Sequence, residues 1–496
     1  MPIPFPIVSI HESFSHPTSM FLRNLMAMDA EEMIRAQPMD SVVLIGGCDK
    51  TVPALLMAAA SVDLPAILEV TGPMITGSWR GERLGACTDC RRFWAMHRAG
   101  KVDAAEIAEI GDRLAPGPGT CMVMGTASTM ALVSEALGMM LPGGGAIRRS
   151  TPTGSVTPRR PAPRRSARPE RRPRPSEIMQ AALLNAIRAP GGRRLDQRRR
   201  PPGRRRRPAG SPSTLDEVDR LAPRRRCWST SSRPDSTTWR TCRRRAGWRR
   251  CCVRSRLRSS WKLATVDGRT LGEAIAAAPA PFPQEVVRPA SNPIHSGGGI
   301  RVLHGNLAPN GALIKQAAAS STLLVHTGRA VVFDLLRDLA EQIDDPDLEV
   351  AAEDVLVLRN AGPKGAPGMP EAGYIPIPKK LAAQGVKDMV RISDARMSGT
   401  AFGTIVLHIS PEAAVGGPLA LVETGDAIAL DVAAGRIDLL VDAPTLEARR
   451  AAWRAPPPHP GSDRGYLKLY LDEVLQAEDG CDFDFLRRRP RATSEG

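Results

Sequence analysis

Four short motifs hold the residues best suited to chemistry. GGCDK places Cys48, Asp49 and Lys50 side by side, and GTCMVMGTAST carries Cys121. GPKGAPGMPEAG carries Glu371, and DARMSGTAFG carries Ser398 followed by Gly399 and Thr400. A thiolate ligates iron or zinc, and a carboxylate beside it holds a hard cation such as Mg2+. Carboxylates and hydroxyls on Gly/Pro-rich loops are common ligand contacts. Each motif taken alone also has a plainer explanation. A buried cysteine behaves as a small hydrophobe, a carboxylate in such a loop is as readily a solvated turn, and Asp394 and Arg396 are close enough in sequence to pair with each other. Cys87 and Cys90 in ACTDC have the C-x-x-C spacing, but no second pair completes a zinc site, so they read as incidental.

The elements around these motifs are legible from apolar periodicity. In residues 1–147, SVVLIGG reads as a buried strand, TVPALLMAAASV as a helix, PAILEV as a second strand, and CMVMGTASTMALVSEALGMM as a loop running into a helix. Strand–loop–helix repetition argues for an α/β domain with a largely parallel sheet. Cys48 then falls at the carboxyl end of a strand, where ligands collect in such sheets. From about Val286 the texture changes to short strands punctuated by Gly, Asn and Pro: IRVLHGNLAP, STLLVHTGRAVVF, DVLVLRNAGP, TIVLHIS and DAIALDVAAGRIDLLV. These predict a C-terminal β-barrel-like domain over 286–496, with 263–285 ending the first domain and linking the two.

Length and composition set the outer limits. A chain of 496 residues is long enough for two or more domains, and 42% apolar content excludes wholesale disorder. There is neither an apolar run of about 18 residues nor a signal-peptide pattern, so neither a membrane span nor secretion is expected. Nine scattered cysteines suit a reduced, cytoplasmic chain rather than a disulfide framework. The net charge of +16 is uneven. Of 68 basic and 52 acidic residues, 35 and 7 fall between Arg148 and Lys262, leaving 33 and 45 elsewhere. The flanks are therefore acidic, and one Arg/Pro-rich window, 148–262, carries the basicity.

That window cannot bury enough apolar area to offset its chain entropy, so it is expected to be disordered or poorly packed, and its origin admits two readings. Arginine-rich tracts neutralise phosphates, which would make it a nucleic-acid-binding segment. Yet enzyme-like patches interrupt it: PSEIMQAALLNAIRA has helical apolar spacing, and STLDEVDRLA has a capped, acidic start. Four of the seven Trp and four of the nine Cys also fall here. Out-of-frame translation of GC-rich codons yields this composition, so the Arg-rich stretches read as frameshifted pieces of an ordinary enzyme. Nucleic acid is then not an expected partner.

The wording and order of the motifs add a further constraint. HESFSHPTSMFLRNLMAMDAEEMIR, GGCDKTVPALLMAAASVDLPAI, GSWRGERLG, GTCMVMGTASTMALVSEALGM, SGGGIRVLHGNLAPNGALIK, GPKGAPGMPEAG and DMVRISDARMSGTAFGTIVLHISPEAAVGGPLALVETGD together resemble the dihydroxy-acid dehydratase/phosphogluconate dehydratase family, nearest its sugar-acid branch. The resemblance implies a hydro-lyase that dehydrates an aldonate, such as L-arabinonate, to a 2-keto-3-deoxy acid; branched-chain dihydroxy-acid dehydration is the alternative within the family. It implies a 2Fe-2S cluster held in part by Cys48 and Cys121. It also implies Mg2+ bound by Glu12, Asp49, Glu371 and a carbamylated Lys50. Ser398 corresponds to the base that takes the C2 proton, and Thr400 to a substrate contact. A homodimer or homotetramer is implied as well.

Three departures from the family pattern lead to an expectation of impaired activity. No cysteine precedes Cys48, so the segment with the first cluster ligand is expected to lie upstream of this start. The substrate loop expected after NAIRA reads PGGRRLDQRRRPPG instead. The Arg-rich stretches replace helices that would cover apolar faces of the first domain.

Overall fold

A computed structural model of the chain describes residues 2–10, 16–123, 125–146, 173–179, 262–277, 292, 298–398 and 401–486. The Arg-rich stretches, STLDEVDRLA and the segment after NAIRA therefore lie outside the described residues, apart from 173, 174 and 262 at the edges of the Arg-rich stretches.

Two parallel strands begin the N-terminal unit. β1 (Val42–Gly46) pairs in register with β2 (Ala66–Val70), and α2 (Thr51–Val62) connects them. The helix follows TVPALLMAAASV as the periodicity predicts. It stops at Asp63, whose φ of 55° is left-handed. Leu44, Leu68, Val52, Leu55 and Leu56 form the core with Met130, Val133 and Leu137 of the α5 (Thr126–Ala136) segment. α1 (Arg23–Arg35) packs on α2 through Met26, Ala27, Ala54 and Met57. The start of PSEIMQAALLNAIRA behaves as its spacing predicts: Ile178 and Met179 enter the same core, and Ser176 bonds the Asp63 carboxylate through its N–H and hydroxyl, both at 2.8 Å. The other face of β1 is open, with Val43 and Ile45 60% and 63% exposed. Strands of parallel sheets are ordinarily covered on both faces.

A hairpin of β3 (Gly77–Trp79) and β4 (Glu82–Leu84) turns through Arg80 and Gly81, both at positive φ. Trp79 packs edge-on against Phe93 of α3 (Ala86–Arg98). α4 (Ala104–Arg113) completes this lobe and starts with an Asp103/Glu106 capping box.

The C-terminal unit is an eight-stranded sheet in the order β12-β11-β7-β8-β9-β10-β6-β5. The strands are β5 (Arg301–Leu303), β6 (Gly311–Ile314), β7 (Val325–Phe333), β8 (Val355–Leu358), β9 (Val390–Ser393), β10 (Ile405–Ser410), β11 (Ala427–Asp431) and β12 (Arg436–Leu439). The central run from β7 to β10 is parallel, and the flanking pairs are antiparallel. A bridge between His304 and Arg436 draws the two edges together, so the sheet is nearly closed into a barrel. Val355, Val357, Val390, Ile392 and Val406 fill its interior. Leu356 and Leu358 point outward into a second cluster with Phe333 and Met389. Burial on both faces explains why β8 lacks polar alternation. The α/β and barrel architecture expected from the sequence is the one observed.

The units are joined by the residues after α1's entry turn and by the tail of the chain. Phe21 stacks against Tyr466 and Tyr470, with ring centroids 4.8 Å apart in each case. Met20 packs with Met369, Val474 and Phe483. Arg23, buried, donates to the Gly480 carbonyl at 2.9 Å and the Cys481 carbonyl at 2.8 Å. Among the described residues, no helix is long and apolar enough to cross a membrane.

The Arg23 contacts set a stability expectation. Arg23→Ala leaves two buried carbonyls without these donors and is expected to cost about 1–3 kcal/mol, read as a lower urea midpoint with an unchanged slope. An unmoved midpoint would show that the tail is not held through this residue.

Candidate functional site

The first group lies where β1 gives way to α2. Gly46 and Gly47 make the approach possible: a Cβ at Gly47 would stand 2.1 Å from the Thr71 hydroxyl and 2.7 Å from Thr120 Cγ2. Thr71 N–H donates to the Gly46 carbonyl, and Thr120 pairs as an isolated parallel bridge with Pro73. The chain beyond β2 thus lies between the end of β1 and Thr120. Cys48 and Cys121 each follow directly on this contact, Cys48 after Gly47 and Cys121 after Thr120, and both are half-buried.

Asp49 is the hub of this group. Its carboxylate accepts from the Lys50 ammonium at 2.7 Å and from the Cys48 thiol at 3.2 Å. Burial alone would raise the Asp49 pKa, but the Lys50 charge, aided by Arg396, overrides it and holds the group at about 2. Burial and then the Asp49 charge push the Cys48 thiol up to about 12. At neutral pH the group therefore pairs a half-buried Asp49 anion with a Cys48 thiol that keeps its proton. Placement at the amino end of α2 also favours the anion.

The second group comes from the barrel. Arg396, 1% exposed, donates to the Glu371 carboxylate at 2.6 Å and to the Thr18 hydroxyl at 2.8 Å. Arg91 of α3 approaches the other Glu371 oxygen at 3.7 Å and lies over the Tyr374 ring. Ser398 follows two residues after Arg396 and is buried, its carbonyl accepting from the Ala401 N–H at 3.0 Å.

The expectation that Asp394 and Arg396 pair with each other is corrected here. Their side chains turn to different partners, Asp394 to the Ala361 and Ala413 N–H groups and Arg396 to Glu371 and Thr18. Both are fully buried, so each needs a complete set of bonds that the other does not supply. Arg396, Arg91 and Thr18 are the members that sequence reasoning missed. The available signal was Arg396 itself, a cation between apolar Ala395 and Met397. Cys90 is half-buried on α3, and the side chain of Cys87 lies outside the described residues. Glu12 and Thr400 also lie outside the described residues.

The donors fit two kinds of inorganic group in type. Asp49 stays ionised although it is largely shielded from water, which suits a hard divalent cation. Cys48 and Cys121 offer the soft sulfur that iron prefers. Among the described residues, no group of three or more His, Cys, Asp or Glu gathers at one point.

Arg396, which bonds Glu371 and whose charge acts on Asp49, links a group on the barrel with one on the α/β unit, and the comparisons with known proteins identify the scaffold. The model of the dihydroxy-acid/6-phosphogluconate dehydratase N-terminal domain matches residues 1–190, and that of the C-terminal domain matches 285–481. The chain is 43% identical to the L-arabonate dehydratase of Azospirillum brasilense, over 98% of this chain and 85% of that protein. It is 42% identical to the 6-deoxy-6-sulfo-D-gluconate dehydratase of Pseudomonas putida, over 98% and 84%. It is 36% identical to the dihydroxy-acid dehydratase of Syntrophobacter fumaroxidans (strain DSM 10017 / MPOB), over 93% and 83%. The chain belongs to the dihydroxy-acid/6-phosphogluconate dehydratase family, whose members are hydro-lyases.

The thiol's environment yields a measurement. In cation-free protein, Cys48 is expected to resist iodoacetamide at pH 9, because its pKa of about 12 leaves it protonated. Asp49→Asn removes a negative charge that raises this pKa, so alkylation at Cys48, followed by peptide mass spectrometry, should accelerate. Equal rates in the two proteins would mean that Asp49 does not govern the thiol.

Proposed function

We propose that this chain is built to dehydrate a sugar acid, an aldonate of the L-arabinonate kind, to a 2-keto-3-deoxy acid. What supports this is the coupling, through Arg396, of Glu371 on the barrel to the α/β unit that carries Asp49, Lys50 and Cys48. The named sugar-acid dehydratases are also more similar to the chain than the branched-chain dihydroxy-acid enzyme quoted above.

In this reading Asp49, Glu371, Glu12 and a carbamylated Lys50 hold Mg2+, and Cys48 and Cys121 contribute to holding a 2Fe-2S cluster. When bound, these groups supply Lewis-acid chemistry, assisting departure of the 3-hydroxyl, stabilising charge that develops on the carboxylate side, and lowering the pKa of a nearby hydroxyl. Ser398 removes the C2 proton, the step that commits the substrate to elimination. Its burial keeps water from competing for that proton. Thr400 contacts the substrate from the same loop. Arg396 fixes the rotamer of Glu371 and so the face it presents. The enol that results ketonises to the 2-keto-3-deoxy acid. Assembly as a homodimer or homotetramer belongs to the same proposal.

The test is turnover. Protein reconstituted with iron, sulfide and Mg2+ is expected to form 2-keto-3-deoxy acid from L-arabinonate or a related aldonate, at a rate lowered by the altered substrate loop and the Arg-rich stretches. Ser398→Ala is expected to cut kcat by about 10²–10⁴-fold, with KM changed far less. Turnover of 2,3-dihydroxyisovalerate in preference to every aldonate would replace the substrate class, and an unimpaired Ser398→Ala would remove the serine from its role.

A further inference from the structure

Between β8 and a short helix at Lys379–Ala383, the loop that carries Glu371 has no regular structure, yet its backbone is fixed at one point after another by side chains from other elements. Ala361 N–H donates to Asp394 Oδ1 at 2.9 Å. Lys364 N–H donates to both Glu412 oxygens, at 3.1 and 3.0 Å, and Gly365 N–H to Oε2 at 2.9 Å. The Lys364 carbonyl meets His459 Nε2 at 2.9 Å, and Gly368 N–H donates to the Tyr470 hydroxyl at 3.0 Å. Gly373 N–H then donates to the Arg396 carbonyl at 2.9 Å. Gly362 lies against Glu412 so closely that a Cβ would stand 2.6 Å from Oε2.

Asp394 and Glu412 are the two ends of this arrangement. Asp394 Oδ2 takes the Ala413 N–H at 3.0 Å, directly after Glu412. Gln476 closes the far side, donating to Glu412 Oε1 at 2.6 Å while its own amide oxygen accepts the Glu412 N–H at 2.9 Å. The partners of both acids are the loop backbone, the Ala413 N–H and Gln476, not Glu371, Asp49 or Cys48. Keeping two carboxylates in one buried region is unfavourable: burial, and then the Glu412 charge, raises Asp394 to about 7. A fold that merely needed a covered loop would be better served by neutral side chains. A carboxylate has two oxygens that accept several converging N–H groups at once, in bonds that are shorter and stronger than neutral ones when it is ionised.

We propose that Asp394 and Glu412 are positioning residues: by gripping the Ala361–Gly365 backbone they set where Glu371 stands, and so set the affinity of the site for a divalent cation. The inference rests on the reading of Glu371 as a cation ligand.

Titration calorimetry of the full chain with Mg2+ alone, without substrate or cluster, separates the two claims. Glu371→Gln is expected to weaken Mg2+ binding by at least about tenfold. Asp394→Asn and Glu412→Gln are expected to weaken it by a similar factor, although neither touches the cation. Gln476→Ala, which only loosens Glu412, should have a smaller effect in the same direction and guards against the acid variants failing to fold. Asp354→Asn is the control, a buried carboxylate that pairs with Arg329 and Ala351 elsewhere on the barrel. It should leave Mg2+ affinity unchanged. If Glu371→Gln weakens binding while Asp394→Asn, Glu412→Gln and Gln476→Ala do not, the positioning role is overturned and the ligand reading survives. If Asp354→Asn weakens binding as much as the clamp variants, general destabilisation explains them and the positioning role is again overturned. No Mg2+ binding, or an unchanged affinity in Glu371→Gln, overturns the ligand reading and the inference with it.

Discussion

One buried guanidinium organises the site. Arg396 has almost no contact with water, so its charge has to be met by protein groups, and the partners come from both units. Glu371 answers it from the barrel loop, and Thr18 answers from the segment that enters α1. A buried ion pair is weak evidence for stability, because desolvation offsets much of the attraction. Its value is geometric. The planar fork has fixed directions, so the two groups that satisfy it cannot drift apart. Arg396 also reaches Asp49 through its field, which ties the ionisation of a carboxylate at the end of β1 to a residue more than 300 positions later.

This coupling makes the contact between the units part of the site. Phe21, Tyr466 and Tyr470 stack within a few residues of Thr18, and Tyr470 also accepts the Gly368 N–H from the Glu371 loop. The tail that packs under α1 through Arg23 continues into Gln476, which grips Glu412. Aromatic packing at the seam, the tail and the loop therefore restrain one another. A change that loosens the seam is felt at Glu371 without altering any ligand.

Much of the architecture was legible from periodicity. TVPALLMAAASV and PAILEV have the composition of a buried helix and a parallel strand, and both form where the pattern puts them. The position of Cys48 after a strand followed from the same reasoning. The short strands β6 and β9 were not separately legible, since GALI and VRIS are too brief to show a period. The β3–β4 hairpin was missed because its turn residues, Arg80 and Gly81, lack the usual Asn-Gly or Asp-Gly signal. The partners of Arg396 were beyond sequence reasoning for a different reason. A cation and an acid two residues apart suggest a local pair, and only the directions of their backbones show that each faces a different part of the molecule.

The electrostatics of the β1–α2 junction also bear on how the site would be loaded. A thiol with a pKa near 12 gives up its proton only when something stronger takes its place. A bound iron does so, since a coordinating thiol is deprotonated outright. Asp49 is the acceptor toward which the Cys48 proton points, and with a pKa near 2 it does not keep a proton at neutral pH. Loading sulfur with iron therefore has to release the proton to solvent, and metal uptake becomes pH-dependent in the direction that favours higher pH. The Lys50 ammonium works the other way on Asp49: it holds the carboxylate anionic before any cation arrives. The pair thus keeps a hard oxygen donor ionised while the soft sulfur donor beside it stays protonated, so under the proposed function the two would not compete for the same inorganic group.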